Sequence, residues 1–146
     1  MNYIQAGNEK QNACNVSPAG EPLAFTVAAS EETDVLATYS NYGSCVDIIA
    51  PGSKITSTWL GSSTNTISGT SMAAPHVAGV FALVLSELNV RSADEAYNIV
   101  SAMTTQDQIK NLPPRTINSL LFNGIDRFVT TLSVRLVEEE ESMEIV

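Results

Sequence analysis

The chain has 146 residues, of which 44% are hydrophobic and 16% charged, and a formal charge of −9. This length holds one core at most, and so much apolar residue with so little charge excludes a chain disordered throughout. With 7 Lys and Arg against 16 Asp and Glu, no basic surface exists to displace counterions from phosphates, which argues against nucleic acid as a partner.

The N-terminus, Met1 to Gln5, has neither the basic region nor the apolar stretch of a signal peptide. Residues 1–24 are rich in Gly, Asn, Ser and Pro and read as loop. Phe25 to Ala29 and Val46 to Ala50 suit buried strands, the second stopped by Pro51-Gly52. Ile55 to Leu60 and Thr64 to Ser68 flank Gly61-Ser62-Ser63, a hairpin signal. From Ser71 to Leu88 the residues are apolar nearly all round over a length no strand reaches, which predicts a buried helix with Pro75 in its first turn. Its apolar core, Val77 to Leu85, is broken by Gly79 and falls far short of the roughly 20 residues a membrane span needs, so no membrane partner is expected. Ser92-Ala93-Asp94-Glu95 resembles a capping box opening a second helix to about Met103. Ile117 to Phe122 is a last apolar piece. Residues 125–146 end in an acidic run and read as an appended tail. Strands followed by a buried helix imply an α/β fold, a mostly parallel sheet flanked by helices, present as an incomplete portion.

The chemistry centres on Ser71. It follows a glycine turn at the start of a buried helix, where free N–H groups and the positive end of the helix dipole surround its hydroxyl. Such a place suits a nucleophile whose intermediate carries an oxyanion, and it equally suits an ordinary helix-capping serine. The chain has 1 histidine, His76. Five residues along one helix is about 140° round the axis, so His76 points away from Ser71 and reads as a packed core histidine rather than its base. Lys54 is a conceivable base for a Ser–Lys dyad. Cys14 and Cys45 are compatible with two buried thiols or with a bridge.

Gly69-Thr70-Ser71-Met72-Ala73-Ala74-Pro75-His76-Val77-Ala78-Gly79 resembles the nucleophile signature of the subtilisin-like serine proteases, G-T-S-M-A-x-P-H-V-A-G. Ala6-Gly7-Asn8 resembles the family's A-G-N. Ser17 to Pro22, Ser40-Asn41-Tyr42-Gly43-Ser44, Ala50-Pro51-Gly52 and Ser57-Thr58-Trp59 resemble the proteinase K branch, as does the spacing of Asn8 from Ser71. The resemblance covers residues 4–124 or so.

That resemblance implies Ser71 as nucleophile and Asn8 as side-chain donor to the oxyanion, beside the Ser71 backbone N–H. Gln5, Ala6 and Gly7 match a wall of the primary specificity pocket, where the family usually has Ala in place of Gln5. The D-[ST]-G and H-G-T-H motifs that carry the catalytic aspartate and histidine are absent. Residues 1–124 are therefore expected to be the C-terminal half of a subtilase catalytic domain and residues 125–146 a tail. The missing N-terminal half is then one partner and a polypeptide substrate the other. The resemblance implies a serine endopeptidase working outside the cell. The alternative is a catalytically inactive fragment that binds peptides or a partner.

The resemblance to aqualysin-like members also implies a Cys14–Cys45 disulfide. It implies a structural calcium ion held by the Asp47 carboxylate and the carbonyls of Pro22 and Ala24; as a residue on its own, Asp47 reads equally as an exposed loop aspartate. No cofactor is expected for catalysis. Asn15-Val16-Ser17 is a glycosylation sequon weakened by Pro18. Without an upstream half, the all-round apolar helix is expected to leave a wet apolar patch near residues 72–85 and the chain alone to be aggregated or molten.

Overall fold

A computed structural model describes residues 2–124. The acidic tail expected over residues 125–146 lies outside the described residues.

Three parallel strands form the centre: β1 (Tyr3–Gln5), β2 (Phe25–Ser30) and β3 (Ile48–Pro51). An antiparallel hairpin follows, β4 (Ile55–Trp59) and β5 (Ser63–Ile67), with a single helical turn at its tip. Then come helices α1 (Thr70–Glu87) and α2 (Ala93–Met103), and two short strands, β6 (Thr105–Gln106) and β7 (Ser119–Leu120). The main sheet runs β1-β2-β3-β7-β6, parallel except between β6 and β7.

Strand β2 explains the architecture. All six of its residues are buried, so both faces of the sheet are covered, the pattern of a parallel sheet. Alternation then divides the core in two. Phe25, Val27 and Ala29, with Ile48 and Ala50 of β3, pack beneath α1 and α2. Ala28 and Ile49 face the opposite side, under Ala6, Ala13, Ala19, Leu36 and Val46 of the long crossover loops.

Helix α1 lies across β1, β2 and β3 and against α2. Its buried residues, Ala73, Val77, Val80, Phe81 and Val84, recur at helical spacing. Phe81 joins Tyr3, Phe25 and Tyr97 in an aromatic cluster in which Phe25 and Tyr97 stack with centroids 4.9 Å apart. Burial among these rings and the neighbouring Tyr97 raise the Tyr3 phenol to about 12. Leu83 and Leu85, 46% and 45% exposed, stand about 200° apart round the axis and flank the buried face on its two edges, while the side facing away carries the exposed Ala82 and Ser86. The apolar patch expected near residues 72–85 takes the form of two leucines on separate edges, and one face of the helix is fully buried against β1, β2, β3 and α2.

Two helix starts follow from sequence, one with a shift. At α2 the Ser92 hydroxyl accepts from Glu95 N (3.1 Å), and the Glu95 carboxylate reaches back to Arg91 N (2.7 Å) rather than to the cap residue itself. At α1 the cap is Gly69, not Ser71, and Met72 N donates to Gly69 O (2.9 Å). Pro75 thus falls in the second turn, where it removes the amide that would bond the Ser71 carbonyl. Within the region that reads as loop, residues 3–5 form a strand, because β1 pairs with β2 in register Tyr3–Phe25, Ile4–Thr26 and Gln5–Val27.

Candidate active site

Ser71 sits in the first turn of α1 with its side chain exposed. Its hydroxyl caps nothing and donates instead to Gln5 Oε1 at the end of β1, so the helix-capping reading does not hold. Two loops, 6–8 and 68–70, bring the other elements to it.

Thr70 joins those loops. Buried completely, it donates both its backbone N–H and its hydroxyl to Asn8 Oδ1, each at 2.9 Å. Its Oγ1 also accepts from Gly7 N (3.2 Å). A backbone N–H is a donor only, so the Asn8 amide atom that faces Thr70 is the oxygen. The amide nitrogen is left turned toward the Gly69 turn, next to Ser71. Thr70 was legible as part of the Gly69-Thr70-Ser71 stretch but not as a site residue; its role comes from a bond 62 residues away in sequence.

The floor of the turn is equally constrained. Gly69 N donates to Gly52 O (2.9 Å). A Cβ on Gly52 would stand 2.6 Å from the Ala29 Cβ and 2.9 Å from Gly69 O, so only glycine lets the turn approach the sheet this closely. Lys54 N donates to the Ser68 hydroxyl (2.8 Å). That bond uses the Lys54 backbone, and it holds the approach to the turn.

Of the residues matched to a specificity pocket, Gln5 is exposed and touches Ser71, Gly7 is half-buried, and Ala6 is wholly buried. The expectation of His76 as a core residue is corrected. It is half-buried and lines a groove of about 400 Å³ between the hairpin and α1, with Thr56, Thr58, Trp59, Met72 and Pro75. Its Nδ1–H donates to the Met72 carbonyl (2.8 Å) one turn back.

The segment carrying Asn8 is laid against residues 39–45. Asn41 N donates to Gly7 O (2.9 Å), Lys10 N to Tyr39 O (3.0 Å), Tyr42 N to Gln11 O (3.0 Å) and Ala13 N to Tyr42 O (2.8 Å). Beyond them Cys14 and Cys45 form a disulfide with α-carbons 5.3 Å apart.

Asp47 lies at the foot of β3. Its Oδ2 accepts from Thr26 N (2.7 Å). Partial burial raises its pKa, and the Thr26 bond works against that rise. Among the described residues no three acidic, histidine or cysteine side chains cluster as a metal site. A calcium ion here would depend on the free Asp47 oxygen and on carbonyls, an all-oxygen donor set of the right hardness.

A serine in the first turn of α1 thus stands beside an asparagine amide held with its nitrogen toward the same turn. The chain belongs to the Subtilase family, whose sequence pattern it matches over residues 4–130. It is 54% identical over 121 residues to the subtilisin-like serine protease AsES of Sarocladium strictum, covering 83% of this chain and 31% of that protein. It is 52% identical over 125 residues to the putative subtilase-type proteinase isp6 of Schizosaccharomyces pombe, covering 83% and 27%. Among solved structures, a cold-adapted subtilisin-like serine proteinase superposes with a TM-score of 0.78 at 42% identity, over 82% of this chain and 43% of that one. The chain thus spans about a third of the relatives' length, and the subtilase fold it carries is partial.

Proposed function

We propose that this chain is the nucleophile-bearing, C-terminal portion of a serine endopeptidase of the proteinase K and aqualysin-like branch. The observation that carries the reading is the double bond of Thr70 to Asn8 Oδ1, which aims the amide nitrogen at the turn holding Ser71. In the reaction Ser71 Oγ attacks the scissile carbonyl of a polypeptide. Its proton passes to a histidine oriented by an aspartate, both from the part of the domain this chain lacks. The carbonyl oxygen becomes an oxyanion and accepts from Asn8 Nδ2–H and Ser71 N–H. The intermediate collapses, the amine leaves with the proton from the histidine, and water releases the acyl group by the same route.

His76 does not take part, since its Nδ1–H is committed to Met72 O on the same helix. For subtilisin, loss of the catalytic histidine is known to lower kcat by about 10⁶, so the chain alone is expected to show no useful turnover. The other features read with the family: action outside the cell, and a structural calcium at Asp47 with the Pro22 and Ala24 carbonyls.

The test compares the chain alone with the chain joined to the segments of the Sarocladium strictum protease that it does not cover, on casein and on a chromogenic peptide. The joined protein should hydrolyse both and lose this in Ser71→Ala, and the lone chain should do neither. A folded joined protein without Ser71-dependent turnover would favour the alternative of an inactive, peptide-binding fragment. Turnover by the lone chain that disappears in Ser71→Ala would show that the missing half is not needed.

A further inference from the structure

Asn41 is a completely buried polar side chain whose every bond serves one loop. Its Oδ1 accepts from Glu9 N (3.2 Å) and Gln11 N (2.9 Å). Its Nδ2 donates to Ala6 O (2.8 Å) and to the Glu9 carboxylate (2.8 Å). Its backbone N–H donates to Gly7 O (2.9 Å). These five bonds land on residues 6, 7, 9 and 11, on both sides of Asn8 and never on Asn8 itself. Gly7 shows how closely the amide fits. At φ +102° the residue is in a region that favours glycine, and a Cβ there would overlap Asn41 Nδ2.

A buried amide with both ends satisfied fixes orientation as well as distance, because leaving either end unpaired is costly. The loop 6–11 lies outside any helix or strand, and apart from Asn41 the bonds of Lys10 N to Tyr39 O and of Tyr42 N to Gln11 O tie its far end down. Thr70 grips the Asn8 side chain from the front, and Asn41 grips the backbone from behind.

We propose that Asn41 is the positioning residue for Asn8, holding the loop so that the Asn8 amide nitrogen stands where an oxyanion would form. The proposal rests on the reading of Asn8 as oxyanion donor. Asn41 touches no reacting atom; it acts through the backbone of residues 6–11.

The experiment has two arms. Hydrogen exchange is followed in the 146-residue chain, unmodified and as Asn41→Ala and Asn41→Asp. The Glu9 and Gln11 amides should be protected in the unmodified chain. In Asn41→Ala they should exchange about tenfold faster or more, and so should the Thr70 amide, while Val27 and Ile49 in the sheet stay as they were. Asn41→Asp keeps the two acceptor bonds, so Glu9 and Gln11 should stay protected while the contacts to Ala6 O and the Glu9 carboxylate turn repulsive. Adding Glu9→Gln to Asn41→Asp should restore part of the loss, because a side-chain amide at that position can donate where the carboxylate could not.

In the joined, active protein Asn41→Ala should lower kcat by up to about 10²-fold, as for an ångström of misplacement, with KM little changed. Combined with Asn8→Ala it should add nothing further. Exchange that rises equally in loop and sheet, or unprotected Glu9 and Gln11 in the unmodified chain, would overturn the proposal. So would kcat losses that multiply in the double variant. A loop that loosens selectively while Asn8→Ala leaves kcat untouched would keep Asn41 in its role and remove the oxyanion reading instead.

Discussion

The two sides of the candidate site are held by different physics. Ser71 rides on α1, which is fixed by burying one apolar face over β1, β2 and β3. Asn8 rides on a loop fixed by directional polar bonds and a disulfide against residues 39–45. Packing tolerates small rotations and is lost in proportion to volume removed, whereas a saturated amide keeps one geometry or fails. Position on the Ser71 side can therefore be damaged by core mutations that leave the Asn8 loop intact, and the Asn8 side can be damaged by reductant with the core intact.

The sharpest break on the helix side is Phe81→Ala. Phe81 is 1% exposed at the centre of the aromatic cluster, and removing such a ring costs about 3–5 kcal/mol. The urea midpoint should fall accordingly, with the Cys14–Cys45 bond unaffected in peptide maps. On the loop side, Cys14→Ser with Cys45→Ser opens a bridge of sequence separation 31. By chain entropy this costs about 3.5 kcal/mol, and the loss should appear with full force in oxidising buffer and vanish when the unmodified chain is compared under reductant. The two open edges of α1 should behave unlike either. Leu83→Lys with Leu85→Lys should change the stability of the chain by no more than about 0.5 kcal/mol per site, while sharply reducing binding of a hydrophobic dye. If dye binding persists, the exposed surface lies elsewhere.

The smallest effect is one of pH. Burial raises the Asp47 pKa in the folded chain. A raised carboxyl favours the folded state while protonated, so its contribution is full below the ordinary carboxylate value and is lost as pH rises through the folded one. Asp47→Asn should keep that contribution at neutral pH and flatten this part of the stability profile in metal-free buffer. With millimolar calcium the order should reverse, the unmodified chain gaining thermal stability and Asp47→Asn gaining none. Equal response of both to calcium would remove Asp47 from the proposed ion site.

Much of the fold was legible in sequence because it is local. The β2 and β3 runs, the hairpin around Gly61, the capping box at Ser92 and the helix from residue 70 each carry their signal within a few residues. Strand β1 reads as loop because its three residues gain strand geometry only from pairing with Phe25 to Val27. Strands β6 and β7, two residues each, are made by the sheet edge that receives them. The same division holds at the site. Ser71 and Asn8 were legible through resemblance, but the bonds that join them through Thr70, and those that Asn41 makes to residues 6–11, are tertiary. His76 misled because an apolar helix suggested burial on every side, and α1 buries only one.

The chain contains 1 tryptophan, Trp59, and it is 51% exposed at the end of β4. Its emission therefore belongs to the hairpin and the groove shared with Met72 and His76. The rings that witness the core are tyrosines and phenylalanines, Tyr3 and Tyr97 gathered about Phe25 and Phe81. The molecule thus carries two optical reporters with separate addresses. Fluorescence excited at the indole will follow the hairpin and quenching by anything that enters its groove, and near-ultraviolet circular dichroism of the tyrosines will follow the interior. A melt watched by the first alone would record the loosening of a two-stranded ribbon as though it were the unfolding of the protein.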